Sequence, residues 1–273
     1  MGDVVGLVGL GAMGSPMGAN LERAGYTVAS FDIRGTGSAG SVSEVAAHAA
    51  RTVIVLVRTR PQVEDVVAQL DRPGLDVLIM STIDPSTMAR LAQDLGQRGM
   101  TAVDAPVSGG VAGAEAGTLA IMVAGDAAAV ERSRPLLEAM GRSIFVIGDR
   151  PGTGQAVKLA NQLMLAANLL AAQEGLRLAG EYGLHPEDVL PVIEQSTGAS
   201  WAAAHWDTVL TWWRDYQPGG ALDIIVKDMR SLLDDAAERR LSLPVAALAF
   251  QRLLSAARSG EYPAKPGEGD VWR

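Results

Sequence analysis

The residues best suited to chemistry in this chain are its few lysines. Of 23 basic residues only three are lysine: Lys158, Lys227 and Lys265. An arginine keeps its proton in proteins, whereas a lysine amine can exchange one. Asn161 and Gln162 follow Lys158 at i+3 and i+4, so a helix places all three on one face. An amine beside two amides in an otherwise apolar helix is expensive to bury without a task or partners. Such an amine can take the hydroxyl proton when an alcohol gives up a hydride. The plainer alternative is a structural lysine hydrogen-bonded at a domain interface.

A second group is phosphate chemistry. Gly9-Leu10-Gly11-Ala12-Met13-Gly14 has the spacing G-x-G-x-x-G, directly after the apolar run Val4–Val8 and at the start of a helical stretch. In that setting the glycines give a tight turn, close backbone approach to a pyrophosphate, and helix–strand packing. The helix N-terminus adds free N–H groups and positive potential. Asp32, at the end of the next apolar run, suits the ribose hydroxyls and repels a 2′-phosphate, which favours NAD. Arg34 would instead hold a 2′-phosphate, so NADP is the alternative cofactor.

A third group is Asp104-Ala105-Pro106-Val107-Ser108-Gly109-Gly110-Val111, after an apolar run ending at Val103. Small residues beyond a strand end can turn backbone N–H groups towards an anion, and Ser108 adds a hydroxyl. The alternative is a flexible turn.

The elements that must position these groups alternate through the first half. Strand-like runs fall at Val4–Val8, Thr27–Phe31, Val53–Val57, Val77–Met80 and Met100–Val103, with helical stretches between them. That pattern predicts βαβ units on a parallel sheet buried on both faces. Leu119–Val123 and Ile144–Ile147 are placed to extend the sheet. After a turn at Asp149–Gly152 the pattern becomes helical. A proline-free stretch from Gln155 to Gly180 is apolar almost all round from Leu163 to Ala172, which predicts a buried helix. Ala202–Trp213, Asp223–Arg239 and Pro244–Arg258 read as further helices. The expected fold class is α/β: a Rossmann-type doubly wound sheet over residues 1–150, then an all-helical substrate and oligomerisation domain over 151–273, joined by a long interdomain helix.

Composition narrows the setting. The chain has 273 residues, 48% hydrophobic and 20% charged, an ordinary globular balance. No apolar run reaches the ~18 residues of a membrane span, and the first residues lack the basic start of a signal peptide. Cysteine is absent, which removes disulfides and thiolate chemistry. A net charge of −8 argues against nucleic acid as a partner. His48, His185 and His205 show no metal-ligand spacing, so no metal is expected. The expected location is the cytoplasm.

The motifs together resemble the β-hydroxyacid dehydrogenase family, which contains 3-hydroxyisobutyrate dehydrogenase and tartronate semialdehyde reductase. GLVGLGAMGSPM at 6–17 resembles its cofactor loop, and STIDPST at 81–87 a segment whose threonine, here Thr82, lies by the nicotinamide. DAPVSGGVAGAEAGTLAIMVAGD at 104–126 resembles its substrate-binding segment. GTGQAVKLANQLMLA at 152–166 resembles its catalytic helix, and IVKDM at 225–229 its late Lys-Asp motif. The resemblance implies an NAD(P)-dependent oxidoreductase interconverting a small β-hydroxy acid and its semialdehyde, with Lys158 as acid/base. It implies that Ser108, Gly109 and Gly110 hold a substrate carboxylate, that Asn161 or Gln162 bonds the reacting oxygen, and that Lys227 faces the cofactor. Lys265 matches no motif and reads as a surface residue.

Two departures bear on the substrate. Gly220 stands where family members commonly carry Phe, and Trp201, Trp206, Trp212 and Trp213 cluster nearby. Trp201 is a candidate pocket residue, against the alternative of helix packing or a subunit contact. An imine reductase of the same fold and a non-catalytic dinucleotide-binding protein are the competing functions; the retained Lys158 and PVSGG segment argue against the first, and Lys158 argues against the second. The apolar stretch Leu163–Ala172 points to a homodimer or higher homo-oligomer.

Overall fold

The computed structural model describes residues 3–214 and 219–259. Lys265 and the tail from Tyr262 lie outside the described residues. The chain divides into two compact units, Met1–Lys158 and Leu159–Arg273.

In the first unit strands and helices alternate: β1 (Val4–Val8), α1 (Gly14–Arg23), β2 (Thr27–Phe31), α2 (Val42–His48), β3 (Thr52–Val55), α3 (Arg60–Gln69), β4 (Asp76–Ile79), α4 (Pro85–Gln97) and β5 (Thr101–Asp104). Then come β6 (Val107–Ser108), α5 (Gly110–Ala116), β7 (Leu119–Gly125), α6 (Ala127–Met140) and β8 (Gly141–Gly148). Helices begin where the sequence supplies caps. The side chains of Ser41, Thr59, Asp84 and Asp126 accept first-turn N–H groups of α2, α3, α4 and α6.

The strands form one sheet in the order β2-β1-β3-β4-β5-β7-β6, with β8 also paired to β7. The pairs among β1 to β5 are parallel, as the sequence predicts. β7 departs from that pattern, running antiparallel to β5 and β6 and parallel to β8. The strand order reverses between β1 and β3, the switch point where doubly wound sheets take ligands at their carboxyl ends. Alternate residues enter opposite layers. Val53, Val55, Val77 and Ile79 join one core, while Ile54 and Leu78 join the other with Leu7 and Val103. β6 and the start of α5 occupy the segment that reads from the sequence as a glycine-rich loop. Two strand residues and a seven-residue helix are too short to leave a periodic trace.

The second unit is helical. α7 (Thr153–Gly180) crosses the division between the units and is followed by α8 (Pro186–Glu194), α9 (Trp201–Ala204), α10 (Trp206–Arg214), α11 (Ala221–Glu238) and α12 (Pro244–Ser259). The expected single helix Ala202–Trp213 is broken at His205, whose backbone leaves helical geometry at φ −123° and ψ 36°. Its Nδ1 contacts the Trp201 carbonyl at 3.0 Å and its ring stacks on Trp201. The expected burial of Leu163–Ala172 is also corrected. Ala166 and Leu169 are buried there, but Met164 is 66% exposed. Within this chain the helix covers one stripe, Leu159, Ala166, Leu169 and Leu176, packed with Trp206, Trp213, Ile225 and Met229.

Leu78 is wholly buried between β3 and β5. Leu78→Ala should cost about 2–5 kcal/mol in urea unfolding. Leu184→Ala, at a half-exposed position, should stay within about 0.5 kcal/mol of the unaltered protein.

Candidate active site

The glycine loop follows β1, and its three glycines meet different surroundings. A Cβ at Gly9 would lie 2.2 Å from the Leu56 carbonyl oxygen, and one at Gly14 would lie 1.9 Å from the Gly9 carbonyl oxygen. Gly11 has nothing within 4 Å. Packing therefore demands the first and third glycines, while the middle one faces open space through which a pyrophosphate could approach the backbone. Met13 precedes α1 with no side chain capping the helix, and the loop closes on the helix through its backbone, the Ser15 N–H donating to the Gly11 carbonyl at 3.1 Å. These features fit a dinucleotide.

Asp32 lies just beyond β2 and is tied to that loop. Its Oδ2 accepts the Leu10 N–H at 2.8 Å, and its Oδ1 accepts the Arg34 N–H at 2.9 Å. The Arg34 guanidinium folds back over the carboxylate, Nε to Oδ1 at 2.8 Å, and donates to the Leu10 carbonyl at 2.7 Å. The Arg34 side chain and the backbone donors hold the Asp32 carboxyl far below the usual carboxylate range, against the opposing effect of burial. Thus Leu10, Asp32 and Arg34, three predicted cofactor residues, form one bonded cluster.

The second grouping lies at the carboxyl ends of β4 and β5. Thr82 is half-buried in the loop between β4 and α4. On either side of it, the Ile83 N–H donates to Gln155 Oε1 at 3.1 Å and the Ser81 carbonyl accepts from Gln155 Nε2 at 3.0 Å. Asp104 ends β5 without solvent contact, and its Oδ2 accepts the N–H groups of Gly152 and Gln155 at 2.8 and 3.2 Å. Burial pushes its carboxyl up to about 6, although the backbone donors pull the other way. Lys158 follows one turn after Gln155 and is buried. Ser108 ends β6, half-buried, opposite Ala120 of β7. Gly109 and Gly110 are exposed, at φ +129° and +61°.

The third grouping belongs to the second unit. Gln162 donates through Nε2 to Asp228 Oδ2 at 2.7 Å, and Asn161 Nδ2 approaches Gln162 Oε1 at 3.4 Å. Lys227 Nζ pairs with Asp228 Oδ1 at 2.6 Å. A fully buried carboxylate thus joins two residues predicted separately from the sequence. Trp201 is 47% exposed and stacks with His205 and Trp212, at 4.4 and 5.6 Å between centroids. Trp206 and Trp213 are core residues, in edge contact at 5.8 Å. Sequence reasoning missed Asp104, Gln155 and Asp228 as organising residues, though all three stood inside quoted motifs. The available signal was a polar residue set among apolar ones, which must find a partner when buried.

The Arg34 side chain is 61% exposed, so a 2′-phosphate could reach it from solvent in competition with Asp32 and the Leu10 carbonyl. Arg34→Ala should leave NAD binding intact and weaken NADP binding about tenfold, near 1.4 kcal/mol. Titrating each reduced cofactor by fluorescence measures this; an unchanged ratio would mean that Asp32 alone sets the choice.

Residues 4–148 match the family model described as the NAD binding domain of 6-phosphogluconate dehydrogenase. Residues 152–265 match the one described as NAD-binding of NADP-dependent 3-hydroxyisobutyrate dehydrogenase. The chain is 35% identical to the NAD-dependent L-serine dehydrogenase of Pseudomonas aeruginosa, over 90% of this chain and 89% of that protein. It superposes on the Mycobacterium tuberculosis 3-hydroxyisobutyrate dehydrogenase structure with L-serine at TM-score 0.84 and 33% identity, covering 95% of each chain. The Streptomyces aurantiacus imine reductase stands further off, at 18% identity and TM-score 0.65 over 94% of this chain and 95% of that one, a likeness of fold alone. The matches span both units and include every motif from the glycine loop to the late Lys-Asp pair, so the chain belongs to the β-hydroxyacid dehydrogenase family of NAD-dependent oxidoreductases.

Proposed function

We propose that this protein interconverts a small β-hydroxy acid and its semialdehyde, with Lys158 as the general acid/base. The observation that carries the reading is Lys158 itself: an exchangeable amine, 7% exposed, one turn beyond a helix start bonded to the Thr82 loop. NAD, when bound, supplies the hydride acceptor. As the hydride leaves the hydroxyl-bearing carbon, Lys158 Nζ takes the hydroxyl proton and the C–O single bond becomes a carbonyl; reduction returns that proton.

Ser108, Gly109 and Gly110 hold the substrate carboxylate through the hydroxyl and backbone N–H groups. Gln162, anchored by Asp228, and Asn161 offer amides to the oxygen-bearing end of the substrate. Trp201 limits the pocket. Lys227 serves the cofactor, as do residues Gly9 to Gly14, Asp32, Arg34 and Thr82. The second unit is the substrate and oligomerisation domain. Exposed Met164 and Leu178 on α7 suit a homo-oligomer, and dependence on the NAD pool suits the cytoplasm. No helix among the described residues is long and apolar enough to cross a membrane.

Lys158→Ala should lower kcat by about 10²–10⁴-fold while the reduced cofactor still binds by fluorescence. Lys158→Arg should be equally slow, because it keeps the charge but cannot exchange the proton. A variant with kcat within about tenfold of the parent, short of the range for lost acid/base help, would remove Lys158 from the mechanism.

Carboxylate recognition has its own test. A Cβ at Gly109 would be strained by its positive φ and would press on Leu119 Cδ2 at 3.2 Å. Gly109→Val should therefore raise KM for the acid strongly and leave cofactor affinity unchanged. If the parent enzyme turns over the methyl ester as efficiently as the free acid, the segment is not a carboxylate site.

A further inference from the structure

We infer that Asp104 and Gln155 are positioning residues for proton transfer: together they fix the first turn of α7, and so the placement of Lys158, against the loop that carries Thr82. The inference rests on the acid/base reading of Lys158 and adds two residues to it, neither of which is proposed to touch substrate.

The geometry is a two-sided clamp. From β5, the Asp104 carboxylate accepts the Gly152 and Gln155 N–H groups. These belong to the start of α7, where an α-helix leaves N–H groups without intrahelical acceptors. From β4, the buried Gln155 side chain bonds the chain on both sides of Thr82, accepting from Ile83 and donating to Ser81. Gln155 is thus held through its backbone by one strand end, and holds another through its side chain. Gly154 lets the helix start sit flush: a Cβ there would lie 2.6 Å from the Met122 carbonyl oxygen and 3.0 Å from Asp104 Oδ2. Lys158 is three residues further along the same helix.

The Asp104 side chain is also costly in a way that a plain helix cap is not. Caps at Ser41, Thr59, Asp84 and Asp126 come from the residue preceding their own helix. Asp104 reaches α7 from 48 residues away, is wholly buried, and leaves Oδ1 without a protein partner among the described residues. Burial of an underpaired carboxylate opposes folding, so an interaction beyond local helix capping is the more economical account. It fixes a helix from one strand end relative to a loop from the next, the tolerance that a proton donor and a hydride path require.

Gln155→Leu tests the clamp, because it removes the bonds to Ser81 and Ile83 and keeps the Asp104 contact to the backbone. In molecules shown to be folded at the assay temperature, kcat should fall about 10–100-fold, as expected for a misplaced reacting group. Reduced-cofactor affinity by fluorescence should stay within about twofold, a shift near the noise of such comparisons. The primary deuterium isotope effect on kcat/KM should rise, since hydride transfer becomes more rate-limiting. A variant that lost only stability would instead show kcat reduced in proportion to the folded fraction, with the isotope effect unchanged; that result overturns the inference, as does a parental kcat.

Asp104→Asn, which keeps one acceptor oxygen, should be milder than Gln155→Leu by the same measures, and a Asp104→Asn variant slower than Gln155→Leu at equal folding would count against the clamp. The parent protein supplies a test that needs no variant. Amide hydrogen exchange at Gly152 and Gln155 should be as slow as in β4 and β5, and loop-like exchange there overturns the proposal. Lys158→Ala separates the two readings. If it stays active, the acid/base assignment fails, while exchange at Gly152 and Gln155 still judges the clamp.

Discussion

A carboxylate with no route to water sets the terms for the first unit. Asp104 stands where β5 ends, and its Oδ2 takes up two backbone N–H groups at the start of α7. The chain then runs four residues to Ser108, so the same strand end feeds both the helix that bears Lys158 and the turn that bears Gly109 and Gly110. Gln155 extends the constraint to the β4 end. The doubly wound sheet brings adjacent parallel strand ends to one edge, and the polar contacts turn that shared edge into a defined arrangement.

This arrangement has a thermodynamic cost. The Asp104 carboxyl is raised from 3.8 to about 6. A group raised on folding lends its stabilisation below its unfolded pKa and loses it as pH climbs through the folded value. The ionised form present at neutral pH therefore opposes folding. Asp76 has the opposite sign: burial opposes it, but bonds from Arg132 and Arg51 bring its carboxyl below the usual value. Its contribution is present above its unfolded pKa and fades as pH falls through the folded value. The two buried aspartates lie at opposite ends of the central strands, Asp76 beginning β4 and Asp104 ending β5.

Much of this was legible in the sequence because it is carried by period and spacing. The alternation of short apolar runs with helical stretches gave β1 to β5 and their parallel pairing. G-x-G-x-x-G between a strand and a helix located the loop at Gly9–Gly14, and the scarcity of lysine drew attention to Lys158. What was not legible depends on contacts distant in sequence. Asp104 and Gln155 are 51 residues apart, and an aspartate after a strand looks locally like any solvated turn residue. Gln162 and Asp228 are 66 residues apart, so the partner of a predicted amide could not be read from its own helix. The antiparallel β7 has the same origin, since its pairing with β5 and β6 is tertiary, whereas the break at His205 is local, made with Trp201 four residues before it.

The Arg34–Asp32 pair carries a consequence for ionic strength. Arg34 is more than half exposed while Asp32 is nearly covered, so the pair sits at the protein–water boundary, where dissolved ions screen charge over roughly 8 Å at physiological salt. Screening loosens the guanidinium from the carboxylate and, more strongly, weakens its attraction for a doubly charged phosphate. Hydroxyl-to-carboxylate bonds to a ribose are short-ranged and feel much less of it. If Asp32 and Arg34 receive the adenosine ribose as proposed, cofactor choice is a property of the solution as well as of the loop: dilute buffer favours NADP, and the salt of a living cell moves the balance towards NAD.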